Sequence, residues 1–224
     1  MTKALIFDSG ALINLSMNGL LYILESLKKN FPGKFLITKQ VKYEIVDRPI
    51  GIKRFELGAL MVQNLIDSGV LEMSSSVGVS DDIIASRTKD FMQKSNHSLT
   101  YKGDWMEVVS DAEMSCLALS AELEKKGYEC MIAIDERTTR MLGEDPKKLA
   151  EIMSNKLHQN VRVSAKPYPQ GEFSFIRSSE LVYVAYKKGY IHLSGKQALD
   201  ALLYATKFKG SSISFEEIEQ LKKL

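Results

Sequence analysis

Four carboxylates in this chain of 224 residues stand where metal-dependent chemistry can be built. Asp8 ends the apolar run Ala4-Leu5-Ile6-Phe7, and Asp135 ends the apolar stretch of "CMIAIDE" in the same way. In open parallel sheets, ligands bind in the crevice beyond the C-terminal ends of the strands. A carboxylate set there is poorly solvated and repelled by its neighbour, so a compensating cation is expected. Mg²⁺ or Mn²⁺ suits the role, because these hard ions prefer carboxylate oxygens and keep waters that can become nucleophiles. Each acid also has an ordinary reading. An Asp after a strand serves as the N-cap of the next helix, and Glu44 in "VKYEIV" suits a solvated helix face. Asp111 in "SDAEMS" sits in a first helical turn, where the helix dipole alone favours it.

Such residues need a scaffold. Strand-like and helix-like segments alternate through most of the chain, which predicts an α/β fold with a mainly parallel sheet. "KALIFD" reads as the first strand, and residues 10–31 as a helix finishing in Lys28 and Lys29. Phe35–Ile37 reads as a short strand running into a helix that carries Glu44, and residues 55–71 as a helix ending at Gly69 before another short strand. Ser110 and Glu113 have capping-box spacing at the start of the helix that carries Asp111. "VRVSAK" reads as the last strand of the main sheet. Between Ser74 and Asp104 the periodicity weakens, which predicts an insertion or mobile arm over about residues 74–107. "YPQGEFSF" reads as a linker and residues 178–224 as wholly helical, dividing the chain into a domain over 1–168 and a helical C-terminal extension over 169–224.

Taken in order, "FDSGALI", "VKYEIV", "SDAEMSCLALSAE" and "IDERTTR" resemble the PIN-domain ribonucleases across about residues 3–165. The resemblance implies a three-layer α/β/α fold and an acidic quartet, Asp8, Glu44, Asp111 and Asp135, that binds Mg²⁺ or Mn²⁺ and catalyses hydrolysis. It makes Ser9 a polar helper beside Asp8, and it makes Arg140 a partner for the scissile phosphate or for the carboxylates. Where the family often has Gly-Glu-Ala-Glu, this chain has Ser-Asp-Ala-Glu, which gives the third acidic role to the shorter Asp111. Glu113 is accounted for by its capping box, with a direct metal role as the alternative, and Glu136 stands at the rim or caps the following helix. The implied reaction is attack of a metal-activated water on an RNA phosphodiester. The implied partners are RNA, a second copy in a homodimer and a protein regulator such as an antitoxin; the tail helices either cover the main domain or offer their apolar positions to the second copy. A catalytically weak PIN-like domain that binds RNA or assembles with a protein is the alternative.

Composition narrows the field. A formal net charge of +2 demands no polyanionic partner, so any nucleic-acid affinity is local. Lys39, Lys42, Arg87, Lys89, Lys94 and Lys102 are the cations expected to track a phosphate backbone. Trp105 is read as a packing residue, with a base-stacking platform as the alternative. Cys116 and Cys130 cannot make a disulfide framework and suit a reducing cytoplasm. No signal peptide and no apolar span of about 20 residues is read, so a cytoplasmic protein is expected. A haloacid-dehalogenase-like phosphatase needs a second Asp where Gly10 stands, and a receiver-type phosphoacceptor lacks its paired acids.

Overall fold

The structure is a computed structural model that describes residues 2–168 and 173–224. The middle of the expected linker, residues 169–172, lies outside the described residues. β1 (Thr2–Phe7) is followed by α1 (Ser9–Met17), α2 (Ile23–Asn30), β2 (Gly33–Ile37), α3 (Lys39–Lys42) with a π turn (Tyr43–Asp47), α4 (Glu56–Asp67) and β3 (Glu72–Met73). A 3-10 turn (Ser74–Val77), α5 (Asp81–Asn96), β4 (Leu99–Tyr101) and β5 (Asp104–Trp105) lead to α6 (Asp111–Lys125) and β6 (Tyr128–Ala133). Then come α7 (Arg137–Glu144), α8 (Pro146–Leu157), β7 (Val161–Val163), β8 (Phe175–Ile176), α9 (Ser178–Lys187), α10 (Lys196–Phe208) and α11 (Phe215–Leu221).

Five strands form a parallel sheet in the order β3-β2-β1-β6-β8. β1 is central because Ala4, Leu5, Ile6 and Phe7 are all buried, as a strand covered on both faces requires. The chain steps from β1 to β2 on one side and later enters β6 on the other, so right-handed crossovers put the connecting helices on opposite faces. α6 packs on β1 and β6 with α5 against it, while α1 and α2 pack with α9. The expected α/β class with a mainly parallel, helix-flanked sheet is what the chain forms.

Three local expectations are corrected. The helix read over residues 10–31 is two helices, because Gly19 takes φ +66 just after α1 and ends it. The weak stretch from Ser74 to Asp104 is not loop-like: α5 buries Ile84, Thr88, Phe91 and Ser95 at helical spacing. Two of those four are polar, which is why the apolar period was faint; Thr88 is satisfied inside its own helix by bonding the carbonyl of Ile84 at 2.8 Å. "VRV" does not join the main sheet but pairs with β4 in a separate antiparallel sheet, β5-β4-β7, and β8 takes the edge position beside β6. Part of the tail covers the main domain, one of its two expected readings: Leu181, Val182, Ala185 and Leu202 belong to the same core as β1, while Leu193, Phe208 and Phe215 are exposed. Asn14 of α1 reinforces this by donating to the carbonyl of Thr206 at 2.8 Å. No helix among the described residues is long and apolar enough to cross a membrane.

Candidate active site

Asp8 follows the central strand and is tied to the neighbouring one by its amide, which donates to the carbonyl of Ala133 at 2.9 Å. Its backbone is extended and its Oδ2 accepts from the amide of Gly10 at 3.0 Å, so it does cap α1. The capping uses one oxygen. Asp8 is 3% exposed, and its Oδ1 is buried without a hydrogen-bond partner among the described residues.

Two further carboxylates face it. Ser9 is buried, and its hydroxyl donates to Glu44 Oε2 at 2.7 Å. Glu44 rides on the π turn after α3, and π turns re-aim side chains and recur at functional sites. The start of α3 is fixed by Thr38, which accepts from the amide of Val41 at 3.2 Å and lies 2.7 Å from the hydroxyl of Ser115 on α6. The third acid is Glu113 on α6. Its Oε2 accepts from the amide of Ser110 at 3.0 Å, closing the capping box, and from the hydroxyl of Thr139 at 2.7 Å.

Asp8, Glu44 and Glu113 share a pattern: one oxygen of each carboxylate has donors, and the other has none among the described residues. The electrostatics follow. Burial, then the charge of Glu113 and, more weakly, that of Glu44 push the Asp8 carboxyl up to about 7, against the amides of Gly10 and Ser9. Glu113 is raised as well, chiefly by burial, against the Ser110 amide and the Thr139 hydroxyl and with the charges of Glu136 and Glu44 adding to it. The thiol of Cys116 behind them is pushed well above its usual range by burial and by Asp8, which removes it as a nucleophile.

The other expected site residues do not share that pattern, although the charge of Glu136 reaches Glu113. Asp111 is exposed on the first turn of α6, without a side-chain hydrogen bond or ion pair among the described residues. Residues two apart on a helix point to opposite sides, so burying Glu113 sends Asp111 outward. Asp135 is 3% exposed like Asp8, yet both of its oxygens are taken: Oδ1 accepts from the amide of Ser178 at 2.9 Å and Oδ2 from its hydroxyl at 2.6 Å. Glu136 caps α7, accepting from the amide and hydroxyl of Thr138 at 3.0 and 2.7 Å. Arg140 turns toward the tail, reaching the hydroxyl of Ser212 at 3.4 Å; burial and the neighbouring Arg177 lower its pKa.

Among the basic residues expected to follow RNA, Lys42, Arg87 and Lys94 are held in ion pairs by Asp47, Glu122 and Asp90. Beside Glu44 lies an apolar groove of about 500 Å³, walled by Leu12, Ile13, Met17, Ile52 and Phe55 with Arg48 and Arg54. Among the described residues no group of three or more His, Cys, Asp or Glu side chains is arranged to hold a metal ion.

The capping box gave Glu113 a complete local explanation, and that concealed its place beside Asp8. A usable signal lies in α6 itself. Ala112 through Ser120 are all buried, so this helix has no solvated face at its start and a Glu there cannot be a surface charge. No protein-family model, no curated protein and no solved structure matches the chain.

Proposed function

We propose that the protein is a divalent-cation-dependent, PIN-like ribonuclease whose cation-facing acids are Asp8, Glu44 and Glu113. The reading rests on the three half-satisfied carboxylates around Ser9, above all the buried Asp8 Oδ1 with no donor. A buried carboxylate oxygen lacking a donor and facing like charges is costly, and a cation removes that cost. Mg²⁺ is commonly held by one or two protein carboxylates together with waters and substrate phosphates, so this donor set fits it without a closed ring of ligands. When bound, Mg²⁺ or Mn²⁺ supplies a water of lowered pKa and offsets the charge of a phosphodiester.

The chain's own residues do the positioning. The Ser9 hydroxyl orients Glu44, and the Ser110 amide and Thr139 hydroxyl hold Glu113. The Gly10 amide fixes one oxygen of Asp8 so that the other stays free. Gly10 also keeps that carboxylate uncrowded, since a side chain there would put its Cβ 3.2 Å from Asp8 Oδ2. Asp111 stands at the solvent rim in this reading, and Asp135 is a positioning residue that anchors the tail. Self-association or a protein regulator would use the apolar groove beside Glu44.

Cleavage of single-stranded RNA with added Mn²⁺ or Mg²⁺ tests this. Wild type is expected to cleave and Asp8→Asn to lose on the order of 100-fold or more, the scale on which single electrostatic groups in active sites act. Equal activity in both rejects the site. The second reading, a PIN-like module that binds RNA or assembles without cleaving, is favoured by one observation: the fourth expected acid, Asp135, has both oxygens taken by Ser178. It predicts RNA binding with no cleavage in either cation.

A further inference from the structure

The small antiparallel sheet β5-β4-β7 has a function that the acidic site does not account for. Partners across antiparallel strands carry their side chains on the same face. Leu99, Tyr101 and Val161 share the inner face, where Leu99 and Val161 are buried and Tyr101 packs on the core. The outer face therefore carries Trp105, Thr100 and Arg162 in one row across three strands. Trp105, expected to be a packing residue, is 53% exposed. Its indole lies 5.1 Å from the ring of His97 at 41°, so His97 props it from the end of α5 and about half of the residue is left to solvent. The hairpin turn is two residues, Lys102 and Gly103, both at positive φ (54 and 93), the type I′ pattern that matches strand twist. Lysine is an unusual occupant of that conformation, and it sets the ammonium 5.2 Å from the Tyr101 ring at the hairpin tip. Neither Lys102 nor Arg162 has a carboxylate partner within ion-pair distance among the described residues. The hairpin's own acid, Asp104, pairs across from Tyr101 and so belongs to the other face.

The geometry points to this face as a binding platform for single-stranded RNA, a base stacking on Trp105 while Arg162 meets the phosphates. An open indole accepts the face of any base, and a cation on the same row meets the backbone, which is how sequence-tolerant single-strand binding is built. A duplex offers no free base face and does not fit. The position agrees: from Trp105 five residues lead to Ser110, the cap whose amide holds Glu113, a reach of at most about 17 Å. A strand stacked here is thus delivered to the acidic cluster within a few nucleotides. The inference rests on the ribonuclease reading for its orientation, but its test does not.

Trp105 is the chain's single tryptophan, so its emission reports this face alone. Titrating the full chain in EDTA with a short single-stranded RNA should quench that emission, and a duplex of the same length should not. By anisotropy of labelled RNA, Trp105→Ala should weaken binding roughly tenfold, Trp105→Phe should restore most of it, and Arg162→Gln should flatten the salt dependence. Unquenched emission with unchanged affinity in Trp105→Ala, or no RNA binding at all, overturns the platform. Quenching without Mn²⁺-dependent cleavage keeps the platform and removes the nuclease reading; cleavage without quenching does the reverse.

Discussion

Two aspartates end adjacent strands of one sheet, and both are 3% exposed, yet they differ in every other respect. Asp135 has a donor on each oxygen, both from Ser178 at the start of α9. Asp8 has a donor on one oxygen, none on the other, and carboxylates as neighbours. A strand end thus sets where an acid stands and leaves its role to whatever meets it there. Where a helix start meets it, the acid becomes a clamp holding the tail; where other acids meet it, one oxygen is left without a donor among the described residues, the feature on which the proposed cation site rests.

The comparison breaks most visibly if the clamp is removed. Asp135→Ala strips two charge-assisted hydrogen bonds and leaves the buried Ser178 donors unmet, so a loss of about 4 kcal/mol is expected by urea denaturation. Asp8→Asn should do the opposite in metal-free protein above neutral pH. The Asp8 pKa is raised by folding, so its protonated form stabilises the native state; that contribution is complete below about 3.8 and is lost as pH rises through about 7. Asn keeps the helix cap without the charge, and a gain of about 3 kcal/mol is expected at pH 8 in EDTA, vanishing near pH 4, by thermal denaturation across that range. Stabilisation independent of pH would mean that the charge is not the cause. Ser178→Ala, which removes one of the clamp's two bonds, should cost about 2 kcal/mol. Glu44→Gln should change stability by less than about 1 kcal/mol, since Glu44 is only half-buried and contributes the weaker of the two charges acting on Asp8.

Much of the scaffold was legible. The continuous apolar run before Asp8 gave the central strand because a doubly covered strand has no polar face, and the Ser110 capping box marked a helix start that the structure retains. What stayed hidden needed tertiary partners. α5 buries two hydroxyls, Thr88 bonding inside its own helix and Ser95 bonding Met114 of α6, so its stripe does not register as apolar. β7 and β8 are three and two residues long, too short for period to say which sheet they enter. At the site, Asp8 and Glu44 were legible, whereas the choice between Asp111 and Glu113 turned on which side of α6 is buried. That Asp135 serves the tail depends on Ser178, forty-three residues away, and no local pattern encodes it.

The central claim is that the unsatisfied end, and not the satisfied one, takes a cation. Titration calorimetry of Mn²⁺ into metal-free protein at neutral pH, in buffers of different ionisation enthalpy, measures it directly. Saturable binding with proton release is predicted for wild type, because Asp8 must give up its proton to the metal, with binding lost in Asp8→Asn and kept in Asp135→Asn. Binding that survives Asp8→Asn but disappears in Asp135→Asn would contradict the account.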